Sequence, residues 1–107
     1  MKIEERTEGD VTTLFLKGKM MVGEDDELLR ERIAKLVEAD RVNIVLDMAN
    51  VVAIDSGCLG EILHCHITVT KKGGKLRLVN PSEKLQGLLT RTKIAWVHED
   101  LLSDPPS

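Results

Sequence analysis

The sequence predicts a single-domain α/β protein in which helices pack on a mixed, mostly parallel sheet. Segments in which apolar and polar residues alternate are interleaved along the chain with segments whose apolar residues recur at helical spacing. The predicted element order is β-β-α-β-α-β-α-β. Strands that are separated by helices are joined by crossovers and therefore lie parallel. The 107 residues are 42% hydrophobic and 31% charged, which suits one globular domain with its own core.

Five strands are predicted from apolar alternation and β-propensity. Gly18 is expected to end the second strand. The third is nearly continuously apolar, the pattern of a strand that is covered on both faces. The strand segments are Ile3–Arg6, Val11–Leu16, Val42–Met48 followed by the short apolar segment Val51–Ile54, Lys75–Val79 and Ile94–Val97.

The first two predicted helices begin at acidic residues. Asp25 or Asp26 is expected to cap the first helix, which runs to about Glu38 with acidic residues in its first turn. The second begins at Asp55-Ser56-Gly57 and ends at Gly73-Gly74. Its expected buried side carries Leu59, Ile62, Leu63, His66 and Ile67.

A third helix follows the fourth strand. Asn80 is expected to cap it, with Pro81 in its first turn. Its buried stripe is predicted to be Leu85, Leu88 and Leu89. After the last strand, Leu101 and Leu102 are expected to add a final turn. We therefore expect one domain over residues 1–102 and a flexible tail over residues 103–107.

Composition disfavours several classes of protein. Phe15 and Trp96 are the only aromatic residues, and the formal charge is −3, so nucleic acids and anionic membranes are poor partners. No segment approaches the roughly 18 apolar residues of a membrane span, and a cytoplasmic location is expected. Cys58 and Cys65 are about 10 Å apart along one predicted helix, too far to form a disulfide, and both are expected to be reduced.

The segment Asp55-Ser56-Gly57 places a small hydroxyl group at a helix N-terminus. Free backbone amides and the positive end of the helix dipole favour an added phosphate there. Phosphorylation of Ser56 would add about −1.5 to −2 charges beside the Asp55 carboxylate. The alternative interpretation is that Ser56 is only the N-cap of the helix.

Two motifs resemble the STAS family of anti-sigma factor antagonists. Asp55-Ser56-Gly57-Cys58-Leu59-Gly60 is similar to the family's D-S-S-G-L-G motif at a helix start, in which the first serine is phosphorylated. The segment Leu16–Glu24 resembles the G-[KR]-x-x-x-G-E segment of one branch of the family. Gly57 and Cys58 depart from the motif, and Met21 stands where many members have an aspartate.

This resemblance implies a STAS-like fold, no enzymatic activity and no cofactor. It implies partner switching, in which the unphosphorylated protein binds an anti-sigma factor that is a serine kinase-like ATPase, phosphorylation of Ser56 separates the pair, and a serine phosphatase resets it. The residues expected to bind the partner are Asp55, Ser56, Gly57, Cys58 and Gly60, with Met20, Met21 and Val22 as an apolar patch. The alternative for the two methionines is core filling. A side chain at Gly60 is expected to crowd the second helix against the sheet.

Three alternative functions differ in how well the sequence fits them. Cys58, His64, Cys65 and His66 lack the spacing of a closed metal site. A serine hydrolase would need a G-x-S-x-G elbow, which the segment around Ser56 does not match. The third is a STAS domain that is never phosphorylated and acts as a scaffold or as a regulatory subunit of a sensory or transport complex.

Overall fold

The computed structural model describes residues 1–91, in which four strands and three helices follow one another. Their bounds are β1 (Lys2–Glu8), β2 (Val11–Met20), α1 (Asp25–Glu38), β3 (Asn43–Ile54), α2 (Ser56–Lys71), β4 (Lys75–Val79) and α3 (Glu83–Thr90). The α/β class and this order of seven elements confirm the predicted fold. The predicted strand Ile94–Val97, the turn at Leu101 and Leu102 and the tail over residues 103–107 lie outside the described residues.

The strands form one mixed sheet in the order β1-β2-β3-β4. A turn through Gly9, which has a φ of 62°, makes β1 and β2 an antiparallel hairpin. β2 pairs with β3 and β3 with β4 in parallel, and α1 and α2 form the two crossovers. The carboxyl ends of β2 and β3 therefore lie side by side at one edge of the sheet.

The core is aliphatic and lies between one face of the sheet and the helices. Every second residue is buried in β4, in β2 as far as Leu16 and in β3 as far as Met48, since side chains alternate between the two faces of a strand. The α3 residues Leu85 and Leu89 join the same cluster. The other buried apolar residues are Leu14, Leu16, Met20, Leu29, Ile33, Leu36, Ile44, Leu46, Met48, Val51, Cys58, Ile62, Cys65, Val69, Leu76 and Leu78.

The second strand is longer than the sequence predicts. β2 does not end at Leu16 or Gly18 but runs to Met20, and Gly18 adopts a φ of 102° within it. A residue with a side chain is strained in that conformation, so glycine lets the strand change direction without ending. The extension matters because it brings the end of β2 level with the end of β3.

The third strand is continuous through the segment that follows Met48. β3 has one residue more than β2 at two places, near Lys17 and near Gly18, and these two irregularities keep the pairing going to Ile54. Asn50 is in register with Lys17, so this polar residue continues the strand. β3 is also not equally covered on both faces, since residues such as Leu46 are fully buried while Val45 is half-buried.

Several details at the helix ends and faces correct the predictions. Asp25 is the first residue of α1 rather than its cap, and Glu24 precedes it without a side-chain capping bond. Ser82, not Asn80, caps α3 by accepting a hydrogen bond from the Leu85 amide over 3.1 Å, because Asn80 has a φ of 55° and turns the chain before the helix. On α2 Ile62 and His66 are buried as predicted, whereas Leu59 and Leu63 are half-buried and Ile67 is exposed. The buried side also includes Cys58, Glu61, Cys65 and Val69.

Candidate functional site

Asp55 and Ser56 lie where two parallel strands end. Met20 at the end of β2 pairs with Ile54 at the end of β3, and the Asp55 amide donates a hydrogen bond to the Met20 carbonyl over 3.1 Å. Functional residues in open α/β sheets commonly lie at the carboxyl ends of parallel strands. The candidate site therefore consists of two segments, the loop of residues 21–24 (the 21–24 loop) and the first turn of α2.

The Asp55 carboxylate connects these two segments. Its Oδ1 accepts a hydrogen bond from the Cys58 amide over 2.9 Å, which makes Asp55 the N-cap of α2. Its Oδ2 accepts one from the Val22 amide over 2.8 Å. The Val22 amide and then the Cys58 amide stabilise the ionised form and hold the pKa of Asp55 below its ordinary value. Asp55 is thus an anion that ties the 21–24 loop to the helix.

Ser56 is the first residue of α2, and its side chain is exposed. It is not the N-cap, so that interpretation of the sequence is wrong, because Asp55 already supplies the capping oxygen. Within residues 1–91 the Ser56 hydroxyl takes part in no hydrogen bond. A modifying enzyme can therefore reach this hydroxyl without breaking a native contact.

Three aspartates hold three consecutive amides of the 21–24 loop, an arrangement that we call the aspartate clamp. Asp25 Oδ2 accepts from the Met21 amide over 2.7 Å, Asp55 Oδ2 from the Val22 amide, and Asp26 Oδ1 from the Gly23 amide over 2.7 Å. Sequence reasoning assigned Asp25 and Asp26 only to the helix start. Their second role depends on where β2 ends, which the sequence pattern did not reveal.

The aspartate clamp presents two apolar side chains to solvent. Met21 is 48% exposed and Val22 is 60% exposed, and they are two of the four large apolar residues that are exposed within residues 1–91. Met20 is fully buried, so it fills the core and does not belong to a surface patch. The exposed patch is therefore formed by Met21 and Val22 alone.

Val22 packs directly over Gly57. A β-carbon added at Gly57 would lie 2.7 Å from Val22 Cγ2 and 2.8 Å from Val22 Cβ, closer than atoms can pack. Gly57 is thus the position of α2 where the absence of a side chain allows close approach. Gly60 is different, because an added β-carbon there would meet nothing within 4 Å. The expectation that a side chain at Gly60 would crowd the helix against the sheet is wrong, since Gly60 faces solvent.

Cys58 is fully buried, and its side chain belongs to the core rather than to a partner-binding surface. Burial, followed by the negative charge of Asp55, raises the pKa of the Cys58 thiol to about 12. Burial also raises the pKa of Cys65 to about 12. Both cysteines are free, as the sequence predicts. Neither has the lowered pKa of a reactive cysteine.

His64, His66 and Glu61 lie along α2, away from the 21–24 loop. Glu61 is buried between α1 and α2, where it contacts Arg30 over 3.4 Å and His64 over 3.1 Å. His66 Nδ1 is 3.3 Å from the Leu76 carbonyl oxygen. Within residues 1–91 no group of three or more acidic, cysteine or histidine residues is placed to hold a metal ion. None of α1, α2 and α3 has the length and apolarity that crossing a bilayer requires.

A small mixed sheet with helical crossovers, and an aspartate-capped helix that begins with an exposed serine, define the class of domain that the sequence motifs indicated. The family model described as STAS domain matches residues 2–101, and the chain therefore belongs to the STAS family. This confirms the resemblance seen in the sequence. No curated protein matches the chain closely enough to count as a relative.

Solved structures share the fold. The crystal structure of a proposed anti-sigma factor antagonist of Thermotoga maritima has a TM-score of 0.84 at 22% identity, with 97% of this chain and 86% of that chain covered. The anti-sigma factor antagonist SpoIIAA in its unphosphorylated form has a TM-score of 0.73 at 16% identity, covering 98% and 90%. The phosphorylated form of SpoIIAA, a Bacillus cell fate determinant, has a TM-score of 0.77 at 15% identity, covering 99% and 93%. At these identities the likeness shows the fold.

Proposed function

We propose that this STAS domain is a bacterial anti-sigma factor antagonist that works by partner switching. In its unphosphorylated form it binds an anti-sigma factor of the serine kinase-like ATPase class and so frees a sigma factor for transcription. Phosphorylation of Ser56 ends this binding, and a serine phosphatase restores it. The domain itself is a non-enzymatic cytoplasmic binding module without a cofactor, spanning residues 1–102, with residues 103–107 as its flexible tail.

The observation that carries this proposal is the position of the Ser56 hydroxyl. It is exposed at the start of α2, beside the apolar patch of Met21 and Val22 and next to the Asp55 anion. Exposed apolar side chains on a well-held backbone are typical of residues that contribute to binding, because little conformational freedom remains to be lost. One surface thus combines a docking patch with a modifiable hydroxyl. The same fold is known in an unphosphorylated and a phosphorylated antagonist.

The switching reaction needs no catalytic group from this chain. The kinase supplies ATP, a bond forms between Ser56 Oγ and the γ-phosphorus, and the bond between that phosphorus and the ADP oxygen breaks, while the hydroxyl proton leaves to a base of the kinase. The phosphatase uses water to return the serine and inorganic phosphate. The added charge of about −1.5 to −2 lies beside Asp55 and near Asp25 and Asp26, so phosphorylation concentrates negative charge at the docking surface.

Phosphopeptide mapping of the protein from growing and stressed native cells tests the proposal. Trypsin releases residues 42–71 as one peptide, in which Ser56 is the only serine and Thr68 and Thr70 are the other hydroxyl-bearing residues. We expect phosphate on Ser56 that varies with condition. A well-covered peptide without phosphate in every condition would favour the alternative, an unphosphorylated scaffold or a regulatory subunit of a sensory or transport complex.

Two serine variants extend this test to binding. With the kinase that labels Ser56, Ser56→Ala is expected to bind persistently in the presence of ATP, and Ser56→Asp to bind more weakly than the wild type. Ser82→Ala is the matched control, because Ser82 is also exposed at a helix start but serves there as a cap. It is expected to lower stability by about 1 kcal/mol without changing the response to ATP. Equal affinity of Ser56→Asp and wild type would contradict release by phosphorylation.

A further inference from the structure

β1 is an edge strand of the sheet. In the described part of the chain it has a neighbour, β2, on one side only. All of its residues are exposed except Ile3, which is half-buried. An exposed edge presents unpaired amides and carbonyls that can pair with a strand of another chain, and charged side chains normally discourage this. Five of the seven β1 residues are charged, so the order of their charges decides which strands this edge excludes and which it accepts.

The hairpin turn determines which main-chain groups of β1 face the outer edge. A two-residue turn separates Glu8 from Val11, and these two residues pair across it. Residues that flank a turn of this length exchange hydrogen bonds, so the amide and the carbonyl of Glu8 face β2. Along an antiparallel strand these groups alternate between the two sides. The residues whose amides and carbonyls face outward are therefore Ile3, Glu5 and Thr7.

We propose that the chain forms a two-fold symmetric dimer in which the β1 strands of two copies pair antiparallel about Glu5. Ile3 of each copy then exchanges hydrogen bonds with Thr7 of the other, and the two Glu5 residues exchange them across the axis. The two sheets become one sheet of eight strands. The two candidate sites lie at opposite ends of this sheet, because the strands of the second copy run the other way. This inference goes beyond the proposed function and is independent of it, because it involves neither Ser56 nor its phosphorylation.

In this register the charges of β1 are complementary to those of a second β1. Lys2 lies opposite Glu8 of the other copy. Glu4 lies in the same way opposite Arg6 of the other copy. The symmetry repeats both contacts, which gives four opposite-charge pairs on the sheet face that carries Phe15. These pairs occupy the non-hydrogen-bonded positions, where opposed side chains are closest, so opposite charges there stabilise the pairing.

The neighbouring symmetric registers bring like charges together. A two-fold axis allows only registers in which each residue meets one from the same sheet face, so the pairing can move only two residues at a time. Pairing about Glu4 would oppose Glu4 to Glu4 and Lys2 to Arg6. Pairing about Arg6 would oppose Arg6 to Arg6 and Glu4 to Glu8. Like charges directly opposite each other are destabilising, so the sequence of β1 selects the register about Glu5.

The two Glu5 side chains at the axis are the one like-charged pair in the selected register. Each Glu5 already has a counter-ion, because its Oε1 lies 3.6 Å from Arg32 Nη1 of α1. Each copy therefore brings a positive charge to the axis together with its carboxylate. This charge offsets the repulsion between the two Glu5 residues.

Sedimentation equilibrium of the full chain tests the dimer without any partner. The wild type is expected to approach twice the mass of one chain as its concentration rises. Arg6→Glu turns two of the opposite-charge pairs into like-charged pairs, and Glu4→Arg does so with the other sign. Each change is expected to raise the dissociation constant of the dimer about tenfold or more. Lys71→Glu is the matched control, because it changes the net charge as Arg6→Glu does but is exposed at the end of α2, and it is expected to leave the dissociation constant unchanged.

Mixing the two weakened variants distinguishes this interface from any other. In a dimer of one Arg6→Glu chain and one Glu4→Arg chain, positions 4 and 6 again face opposite charges, so an equimolar mixture is expected to dimerise about as tightly as the wild type. The double variant Glu4→Arg/Arg6→Glu exchanges the two charges within one chain and is expected to dimerise by itself. A wild-type chain that remains monomeric at about 1 mM overturns the inference. A mixture that stays as dissociated as each variant alone overturns it as well.

Discussion

The contact between Val22 and Gly57 can be tested by adding one methyl group. In Gly57→Ala the new β-carbon would lie 2.7 Å from Val22 Cγ2 and 2.8 Å from Val22 Cβ, whereas ordinary contacts begin at 3.4 Å. Rotation of the valine side chain relieves the first contact but not the second. The backbone at Val22 must therefore shift against the hydrogen bonds of the aspartate clamp.

The expected net effect is a loss of stability. Overpacking of this kind costs about 1–3 kcal/mol, and the better helix propensity of alanine offsets up to about 1 kcal/mol of it. We expect Gly57→Ala to lower the free energy of unfolding by about 1 kcal/mol, which lowers the melting temperature of a domain of this size by about 4–8 °C. Urea denaturation followed by circular dichroism measures the change. Gly60→Ala, in the same helix but in open space, is the control and is expected to raise stability by up to about 1 kcal/mol.

A double-mutant cycle identifies the cause. Val22→Gly removes both atoms that the new methyl group would meet, so the Val22→Gly/Gly57→Ala protein is expected to lose less stability than the two single changes together. The coupling energy expected for residues in contact is about 1 kcal/mol. The reasoning is refuted if Gly57→Ala is as stable as Gly60→Ala, or if the two changes at positions 22 and 57 are simply additive.

Two further predictions concern the rest of the domain. Gly74→Ala would bring a β-carbon onto the Val42 carbonyl oxygen, which cannot move away because it also accepts a hydrogen bond from the Lys75 amide over 2.7 Å. We therefore expect the free energy of unfolding, measured by urea denaturation, to fall by about 3 kcal/mol. A smaller loss than that of Gly57→Ala would contradict this prediction. The buried thiols Cys58 and Cys65 have a pKa of about 12 in the folded chain against an ordinary value of 9.0, so the unfolded chain ionises first. Their contribution to stability is therefore complete below pH 9 and declines as the pH rises toward 12, and unfolding at about pH 10 should become less pH-sensitive in Cys65→Ala.

The elements of the fold follow closely from the sequence, while their ends do not. The periodicity of apolar residues indicates which residues are buried, and it predicted all seven described elements. It reports nothing about backbone conformation at a single residue. Gly18 was therefore interpreted as a strand end although it lets β2 continue, and Asn80 as a cap although it occupies the turn before α3. Glycine and asparagine also adopt positive φ more readily than other residues, and this is the role that each has here.

In the candidate site, too, local sequence patterns reveal some residues, while contacts between distant segments are not visible in the sequence. Asp55 and Ser56 were recognised because a local pattern, an acidic residue and a serine at a helix start, is visible in the sequence. The contributions of Asp25 and Asp26 depend on the 21–24 loop lying beside α2, which requires β2 and β3 to end at the same level. The glycine that permits close packing is Gly57 rather than Gly60, and only the position of Val22 distinguishes the two.

The aspartate clamp binds main-chain amides alone, so it holds the backbone of the loop without contacting the loop's side chains. Any residue with an amide hydrogen at positions 21 and 22 can occupy the same backbone path, and only proline is incompatible. The exposed Met21 and Val22 side chains can therefore be replaced while the hydrogen bonds that hold the loop backbone stay in place. A domain built in this way can acquire a new binding preference through one or two substitutions while the loop keeps its backbone path, and a library randomised at Met21 and Val22 would sample recognition on a preserved scaffold.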